Sequence, residues 1–212
     1  MTGDDASTAA RGRLAHVDYT YPDDRWAGWS PGGGIARLAL EIAEELAEPG
    51  PARATTARAV EIVNADSLRK GGIVAQNAIW VPRRSTGEVA GILDVTIIAA
   101  PGGPSAPERH LSRSLRRDFG WTTRILEYAA QTSEVPAGRM TIEQVLLRRF
   151  GEREVQAYLF LNVYPPVAQE AASLVLNTVH LDLLGDLARH GRMIAESLRL
   201  TLGDIPGGRS AP

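Results

Sequence analysis

The sequence of 212 residues contains 0 cysteines. It can therefore form no disulfide bond, no cysteine-ligated zinc or iron–sulfur site, and no thiol nucleophile. Lysine is almost as scarce, because Lys70 is the only one and every other basic residue except histidine is an arginine. This bias, together with the many alanines and glycines, indicates a GC-rich genome and predicts a bacterial source.

The chain also lacks an excess of charge of one sign and a long apolar run. Its formal net charge of −2 argues against a nucleic-acid partner, since such a partner needs a net or clustered positive field. No apolar stretch approaches the roughly 18 residues that a membrane-spanning helix needs, and no apolar signal segment precedes Leu14. We therefore expect a cytoplasmic protein that does not insert into a membrane.

The familiar catalytic and cofactor motifs are missing as well. Three glycines, Gly32 to Gly34, precede a predicted helix, but Ile35-Ala36-Arg37 follows where a phosphate-binding loop has Gly-Lys-Ser/Thr. The sequence contains neither Gly-x-Ser-x-Gly nor His-Glu-x-x-His, and its 4 histidines are dispersed. We predict no metal site and no cofactor, and we favour a protein that is not an enzyme.

The residues that are present predict both helices and strands in the first half of the chain. The hydrophobic content of 44% and the charged content of 23% are ordinary for a globular domain, and the length is enough to bury a core. Apolar residues at helical spacing predict helices over residues 35–47 and 52–70. Residues 73–81 and 89–99 are two β-rich runs joined by a polar, glycine-containing connection, so they predict a hairpin. Residues 14–21 predict a further strand.

The second half of the chain predicts a short arginine-rich helix at residues 108–119 and then four strands. Residues 122–134 and 139–149 fit a helix or a strand by period. We favour strands, because a meander is the simplest connection to the strands that follow. Those strands cover residues 155–164 and 172–180.

An amphipathic helix over residues 183–202 follows the last of these strands. Asp182 is well placed to cap its first turn. The inner stripe of the helix consists of Leu183, Leu187, Ile194 and Leu198.

The predicted fold class is α+β. We expect a largely antiparallel sheet of about six strands with helices packed on it, closed by the C-terminal amphipathic helix. Residues 1–13 are expected to form a disordered segment, residues 14–202 a single domain, and residues 203–212 a flexible tail.

Aromatic and arginine side chains supply the candidate binding residues. Tryptophan anchors ligands and partners, but it also fills cores. Paired arginines recognise acidic groups, but they usually lie on solvated faces. The residues selected for a binding role are Trp26, Trp29, Trp80, Arg83 and Arg84, with Trp121 as the remaining tryptophan.

His180 and Asp182, two residues apart, are the histidine–carboxylate pair selected for a chemical role. On a strand, residues two apart point to the same face, so these side chains would be able to meet. The alternative, which we favour, is that both residues lie at the start of the closing helix and that Asp182 caps it.

Two stretches of the sequence carry a resemblance to a known family. The strand residues Leu174-Val-Leu-Asn-Thr178 precede a helix that ends in Ile194-Ala-Glu-Ser-Leu-Arg199, and Pro136-Ala-Gly138 precedes further strand residues. In the C-terminal half this pattern resembles the Mog1/PsbP-like proteins. The resemblance implies an αβα sandwich with an antiparallel sheet and a non-catalytic accessory, assembly or binding role. It supplies no functional residue.

Three functions follow as hypotheses, in this order of preference. The first is a non-enzymatic accessory or adaptor domain that acts through contact with a protein partner. The second is a small-molecule-binding protein or an enzyme with a site in a cleft between sheet and helix, where His180, Asp182 and a tryptophan would converge. The third is a structural or assembly component that forms a homodimer through a sheet edge.

Overall fold

A computed structural model of the chain describes residues 13–71, 74–100, 106–114, 123–166 and 168–203. These ranges contain nine strands and four α-helices. The strands are β1 (Arg13–Asp18), β2 (Trp26–Trp29), β3 (Val74–Trp80), β4 (Gly91–Ala99), β5 (Thr123–Val135), β6 (Gly138–Arg149), β7 (Gln156–Tyr164), β8 (Glu170–Thr178) and β9 (Arg199–Gly203). The helices are α1 (Ile35–Leu46), α2 (Pro51–Arg69), α3 (Ala106–Ser114) and α4 (Leu184–Ser197), and a 3₁₀ turn, Leu181–Leu183, leads into α4.

Seven of the strands form one antiparallel sheet in the order β2-β3-β4-β8-β7-β6-β5. The other two, β1 and β9, pair with each other in a separate antiparallel ribbon. The predicted α+β class with a largely antiparallel sheet is therefore confirmed, and the main sheet has one strand more than the six or so expected. The segments 122–134 and 139–149, which the period left ambiguous, are strands β5 and β6.

Helices α1 and α2 cover one face of the sheet at the β2–β3–β4 side. Their buried side chains meet the strand residues that point to that face, among them Leu46 and Val60 from the helices and Ile79 and Trp29 from the sheet. This apolar burial is the main force that holds the layer in place.

Helix α4 covers the opposite face of the sheet. Leu187 and Ile194 are buried there against Leu174 and Leu176 of β8. Gly191 faces the sheet at the closest approach of the helix, because a Cβ atom at this position would lie 2.9 Å from the Leu161 side chain. Helices thus lie on both faces of the sheet, as the resemblance implied.

The predicted closing helix is too long, because α4 ends at Ser197. Leu198 has an extended conformation (φ −56°, ψ 131°), and the next five residues form β9, where Leu202 pairs with Leu14 of β1. The signal in the sequence is the alternation of Leu198, Leu200 and Leu202 at every second position, which is the period of a strand and not of a helix.

Two further short elements depart from the sequence analysis. Asp182 does not cap α4: it lies within the 3₁₀ turn, Leu183 occupies the N-cap position, and no side chain caps the helix there. The segment from Trp26 to Trp29, to which the sequence pattern assigns no helix or strand, forms the edge strand β2, which pairs with β3.

Arg13 is the last residue of the predicted N-terminal segment, and Gly203 is the first residue of the predicted C-terminal tail. The two pair with each other in the β1–β9 ribbon. Residues 1–12 and 204–212 lie outside the described residues, as do residues 115–119 of the predicted arginine-rich helix. The described part of that helix is α3, which begins two residues earlier than expected.

The only lysine of the chain connects helix α2 to the sheet. The Lys70 Nζ lies 2.8 Å from the Asp94 Oδ2 of β4 and 3.0 Å from the Asp66 Oδ2 within the same helix end. Asp94 is a buried carboxylate, so the ammonium group compensates its charge.

Within the described ranges, no helix is both long enough and apolar enough to cross a membrane.

The packing of α4 yields a prediction with a neighbouring control. Ile194 is fully buried, whereas Met193 is 44% exposed on the same helix. Ile194→Asp places an unpaired charge in the core and should lower the free energy of unfolding by more than about 4 kcal/mol. Met193→Asp should change it by no more than about 0.5 kcal/mol. Urea denaturation followed by circular dichroism measures both, and equal effects of the two changes would contradict the placement of α4.

Candidate functional site

Strands β5, β6 and β7 meet at one end of the sheet, where prolines interrupt the ladder. Val135 pairs with Gly138, so Pro136 and Ala137 form a two-residue turn between β5 and β6. Tyr164 is the last residue of β7, and two prolines follow it. Because proline has no backbone N–H to donate, the strands cannot continue past these positions.

A cavity of about 280 Å³ lies beside this turn, next to helix α3; we call it cavity A. Most of its wall is apolar, and its charged members are Glu134 and Arg139. Arg139 forms an ion pair with Glu108 of α3, so its positive charge already has a partner. The apolar lining consists of Pro107, Val135, Gly138, Tyr164, Pro165 and Pro166.

The turn owes its tight geometry to Gly138. This residue has φ +144°, and a Cβ atom there would lie 2.2 Å from the carbonyl oxygen of Tyr164. Only glycine tolerates this combination of conformation and contact. The wall of cavity A is therefore fixed by the backbone of two adjacent strands.

A polar network lies next to cavity A. The His110 ring of α3 meets the Tyr164 ring edge-on at a centroid distance of 6.1 Å. The His110 Nε2 lies 2.7 Å from the Glu143 Oε1, and the Tyr128 hydroxyl donates to the Glu143 Oε2 at 2.9 Å. Glu143 is 1% exposed, so these two bonds satisfy both oxygens of a carboxyl group that water does not reach. The network attaches α3 to β6.

A second cavity, of about 390 Å³, lies on the other side of the turn; we call it cavity B. It shares Pro165 and Pro166 with cavity A, and β9 forms another part of its wall. The charged residue of its lining is Arg199. The remaining lining residues are Pro136, Ala137, Leu198, Leu200 and Leu202.

The tryptophans selected from the sequence lie in the interior. Trp26, Trp29 and Trp80 are 3%, 6% and 4% exposed. Trp26 and Trp80 stack at a centroid distance of 6.2 Å beneath α4, whereas Trp29 belongs to the core under α1 and α2. Trp121 lies outside the described residues.

The two selected arginines lie in the connection between β3 and β4. Arg83 is exposed and lines a small cavity of about 40 Å³ with His180 and Asp182. Arg84 is half-buried, and its carbonyl accepts a hydrogen bond from the Glu48 backbone N–H. The structure thus brings Arg83 to the His180–Asp182 pair, but none of the three described tryptophans lines that cavity. The binding role of the five selected residues stays a prediction.

The residues of cavities A and B were not among the selected candidates. Their signal in the sequence is the recurrence of proline at strand ends, at Pro136 and at Pro165-Pro166. By themselves these prolines predict only turns or strand ends. The prediction of a longer closing helix hid the approach of β9 to the turn.

A buried histidine completes the tryptophan cluster. Trp26 Nε1 donates to the His190 Nδ1 at 3.1 Å, which places the histidine proton on Nε2, 3.7 Å from the Asp23 carboxylate. Burial lowers the pKa of His190 below its usual 6.5, with Arg189 adding to that effect and Asp23 opposing it. Protonation of Nδ1 would also break the bond to Trp26.

This cluster predicts a pH dependence of stability. The unfolded chain protonates His190 near pH 6.5 and the folded chain resists it, so stability present above this pH is lost as the pH falls below it. His190→Gln removes the titrating group. The unsubstituted protein minus the variant gives a difference in melting temperature. This difference should decrease as the pH is lowered from about 7.5 to about 5. A difference that is constant over this range would contradict the assignment.

The Glu143 network predicts a loss of stability on a change of one atom. Glu143→Gln replaces one carboxylate oxygen by an amide nitrogen that cannot accept a hydrogen bond, so one of the two bonds loses its acceptor. We expect a loss of about 1–3 kcal/mol in the free energy of unfolding. The control is Glu108→Gln, which alters the exposed ion pair with Arg139 and should have little effect. Urea titrations compare the two; equal losses would mean that Glu143 is not held as described.

Comparison with known proteins finds weak structural likenesses. No protein-family model and no curated protein matches the chain. The PsbP of the cyanobacterium Synechocystis sp. PCC 6803 (CyanoP) is 12% identical, with 95% of this chain and 98% of that chain covered and a TM-score of 0.42. LpqN, which is involved in cell envelope biogenesis of Mycobacterium tuberculosis, is 10% identical, with coverages of 87% and 83% and a TM-score of 0.46. A chain from Bacteroides thetaiotaomicron is 9% identical, with coverages of 92% and 49% and a TM-score of 0.38. The weak resemblance to PsbP that the sequence indicates is thus found again in the comparison of structures.

Proposed function

We propose that this chain is a non-enzymatic accessory domain that binds another protein at the proline-terminated end of its sheet. The observation that carries the proposal is the pair of cavities A and B, which lie on either side of one turn and share Pro165 and Pro166. Two adjoining apolar cavities can each receive a side chain of the same partner.

The chemistry of this end suits the recognition of apolar side chains. Its surface is made mainly of proline, leucine and valine side chains, and apolar anchors in such pockets contribute much of the affinity of protein interfaces. The three prolines at the turn and after β7 present no backbone N–H. Binding there therefore depends on shape and apolar contact more than on hydrogen bonds to the turn.

The frame of the cavities is rigid, which lowers the cost of binding. The turn is fixed by Pro136 and by the close approach of Gly138 to Tyr164, and Met140, just inside it, is fully buried in the core. A surface that is already ordered loses little conformational entropy when a partner binds.

A small-molecule-binding function is the second candidate. The observation in its favour is the volume of cavity B, about 390 Å³, which lies within the range of roughly 300–1,000 Å³ that small-molecule sites occupy. Among the described residues its lining is apolar except for Arg199, which would suit a compact apolar ligand.

Site-specific photo-cross-linking in the cells that make the protein tests the proposal. A photoreactive residue replaces Glu134, at cavity A, or Ala137, at cavity B. The control position is Gly185, which is exposed on α4 and has no atom within 4 Å of an added Cβ. We expect the same partner protein, identified by mass spectrometry, in adducts from both cavity positions and not from Gly185.

Three outcomes would contradict the proposal. The first is an absence of adducts from both cavity positions, and the second is an equal yield of the same adduct from Gly185. The third is an adduct that contains only two copies of this chain, which would favour the homodimer hypothesis.

A further inference from the structure

The two cavities differ in the state of their arginines. In cavity A, Arg139 is paired with Glu108. In cavity B, Arg199 is exposed, and among the described residues no carboxylate forms an ion pair with it. An apolar cavity lined by one guanidinium group that has no ion pair favours a ligand that is apolar and carries a negative charge.

The carboxylate opposite Arg199 in the ribbon forms no ion pair with it. Asp18 stands opposite Arg199 in the β1–β9 register, but its Oδ1 accepts a hydrogen bond from the Tyr19 backbone N–H at 2.9 Å. The Arg199 side chain has no hydrogen bond or ion pair with another described residue, so its guanidinium group can bind a ligand carboxylate in a bidentate manner.

The edge of β9 supplies backbone hydrogen-bonding groups, which the prolines of the turn lack as donors. The ribbon has two strands, so β1 is the one strand that pairs with β9 within the described residues. The other edge of β9 therefore carries backbone N–H and C=O groups that can pair with an added strand. An extended peptide meets this edge with its own backbone, whereas an aliphatic chain does not.

From these observations we infer that cavity B takes an extended peptide segment of the partner, in which an aliphatic side chain lies beside a carboxylate. The aliphatic side chain enters the cavity between Leu198, Leu200 and the prolines of the turn, the segment pairs with the free edge of β9, and Arg199 binds the carboxylate. This inference rests on the proposed function and assigns the chemistry of the partner segment.

Synthetic peptides test the inference directly. The probe is acetyl-Ser-Gly-Leu-Asp-Gly-Ser-amide, titrated into the isotope-labelled full chain, with binding followed by the shifts of the Ala137, Leu200 and Thr201 amide signals. Replacement of the aspartate of the probe by asparagine, or of its leucine by alanine, should weaken binding roughly ten-fold or more.

Substitutions in the chain complete the test. Arg199→Gln should lower the affinity for the aspartate probe to that for the asparagine probe. The Arg199→Glu variant should bind a probe with lysine in place of aspartate more tightly than the aspartate probe. The matched control is Arg153→Glu, an exposed arginine in the connection between β6 and β7, at the opposite end of the sheet, which should leave the affinity unchanged. Melting temperatures verify that each variant is folded.

The results that overturn the inference are distinct from those that overturn the proposed function. Equal binding of the aspartate and asparagine probes, an equal effect of Arg153→Glu, or binding of octanoate without binding of the peptide would each reject it. One outcome is that cross-links from Ala137 persist in the Arg199→Glu variant while any of these results holds. In that case the proposed binding surface is supported and the assigned chemistry of the partner segment is rejected. Absence of cross-links at both cavity positions rejects the proposed function itself.

Discussion

Proline cannot donate a backbone hydrogen bond, and this one constraint shapes the end of the sheet on which the proposed function depends. Pro136 turns β5 into β6, and Pro165 and Pro166 stop β7 beside that turn. Since neighbouring strands are hydrogen-bonded to each other, three strands end together. Because the strands end there, no further strand residues cover the apolar side chains near their ends. The two cavities lie on either side of the Pro136–Ala137 turn.

The interior of the domain contrasts with this end, because three groups of buried polar side chains are paired there. Trp26 and His190 share a buried hydrogen bond, Glu143 holds His110 and Tyr128, and Lys70 compensates Asp94. Such groups are costly to bury alone and stable when paired. They fix the positions of α4, α3 and α2 on the sheet, so the sheet end is presented on a rigid frame.

The fold class follows from the sequence because each of its elements has a local signal. Helical spacing over residues 35–47 reports which face of α1 is buried. The β-rich run over residues 89–99 marks a strand, and both faces of that strand are largely buried. The signals fail where two periods overlap. The leucines between Leu198 and Leu202 extend the stripe of α4 and also alternate as a strand, and the choice between them depends on pairing with β1, which is distant in the sequence. Strand β2 was not predicted because its four residues are too few to show a period. It is defined by its pairing with β3.

The candidate site was harder to predict than the fold, because residues that look functional are also good core residues. Trp26 and Trp80 are large and apolar enough to be buried, and they stack in the core. The cavities combine Pro136, Tyr164 and Leu200 from three separate parts of the chain, so no short motif contains them. The available signal for the cavities was proline at the strand ends. Only the order of the strands in the sheet shows that the turn at Pro136 and the end of β7 are neighbours.

Hydrogen exchange of the chain in complex with its cross-linked partner, once purified, is the most direct measurement of the central claim that the sheet end is the binding surface. The account predicts slower exchange on binding at residues 134–139 and in β9, with no change in α1 and α2. Protection that instead falls on α1, α2 or the connection between β3 and β4, with the sheet end unchanged, would contradict it.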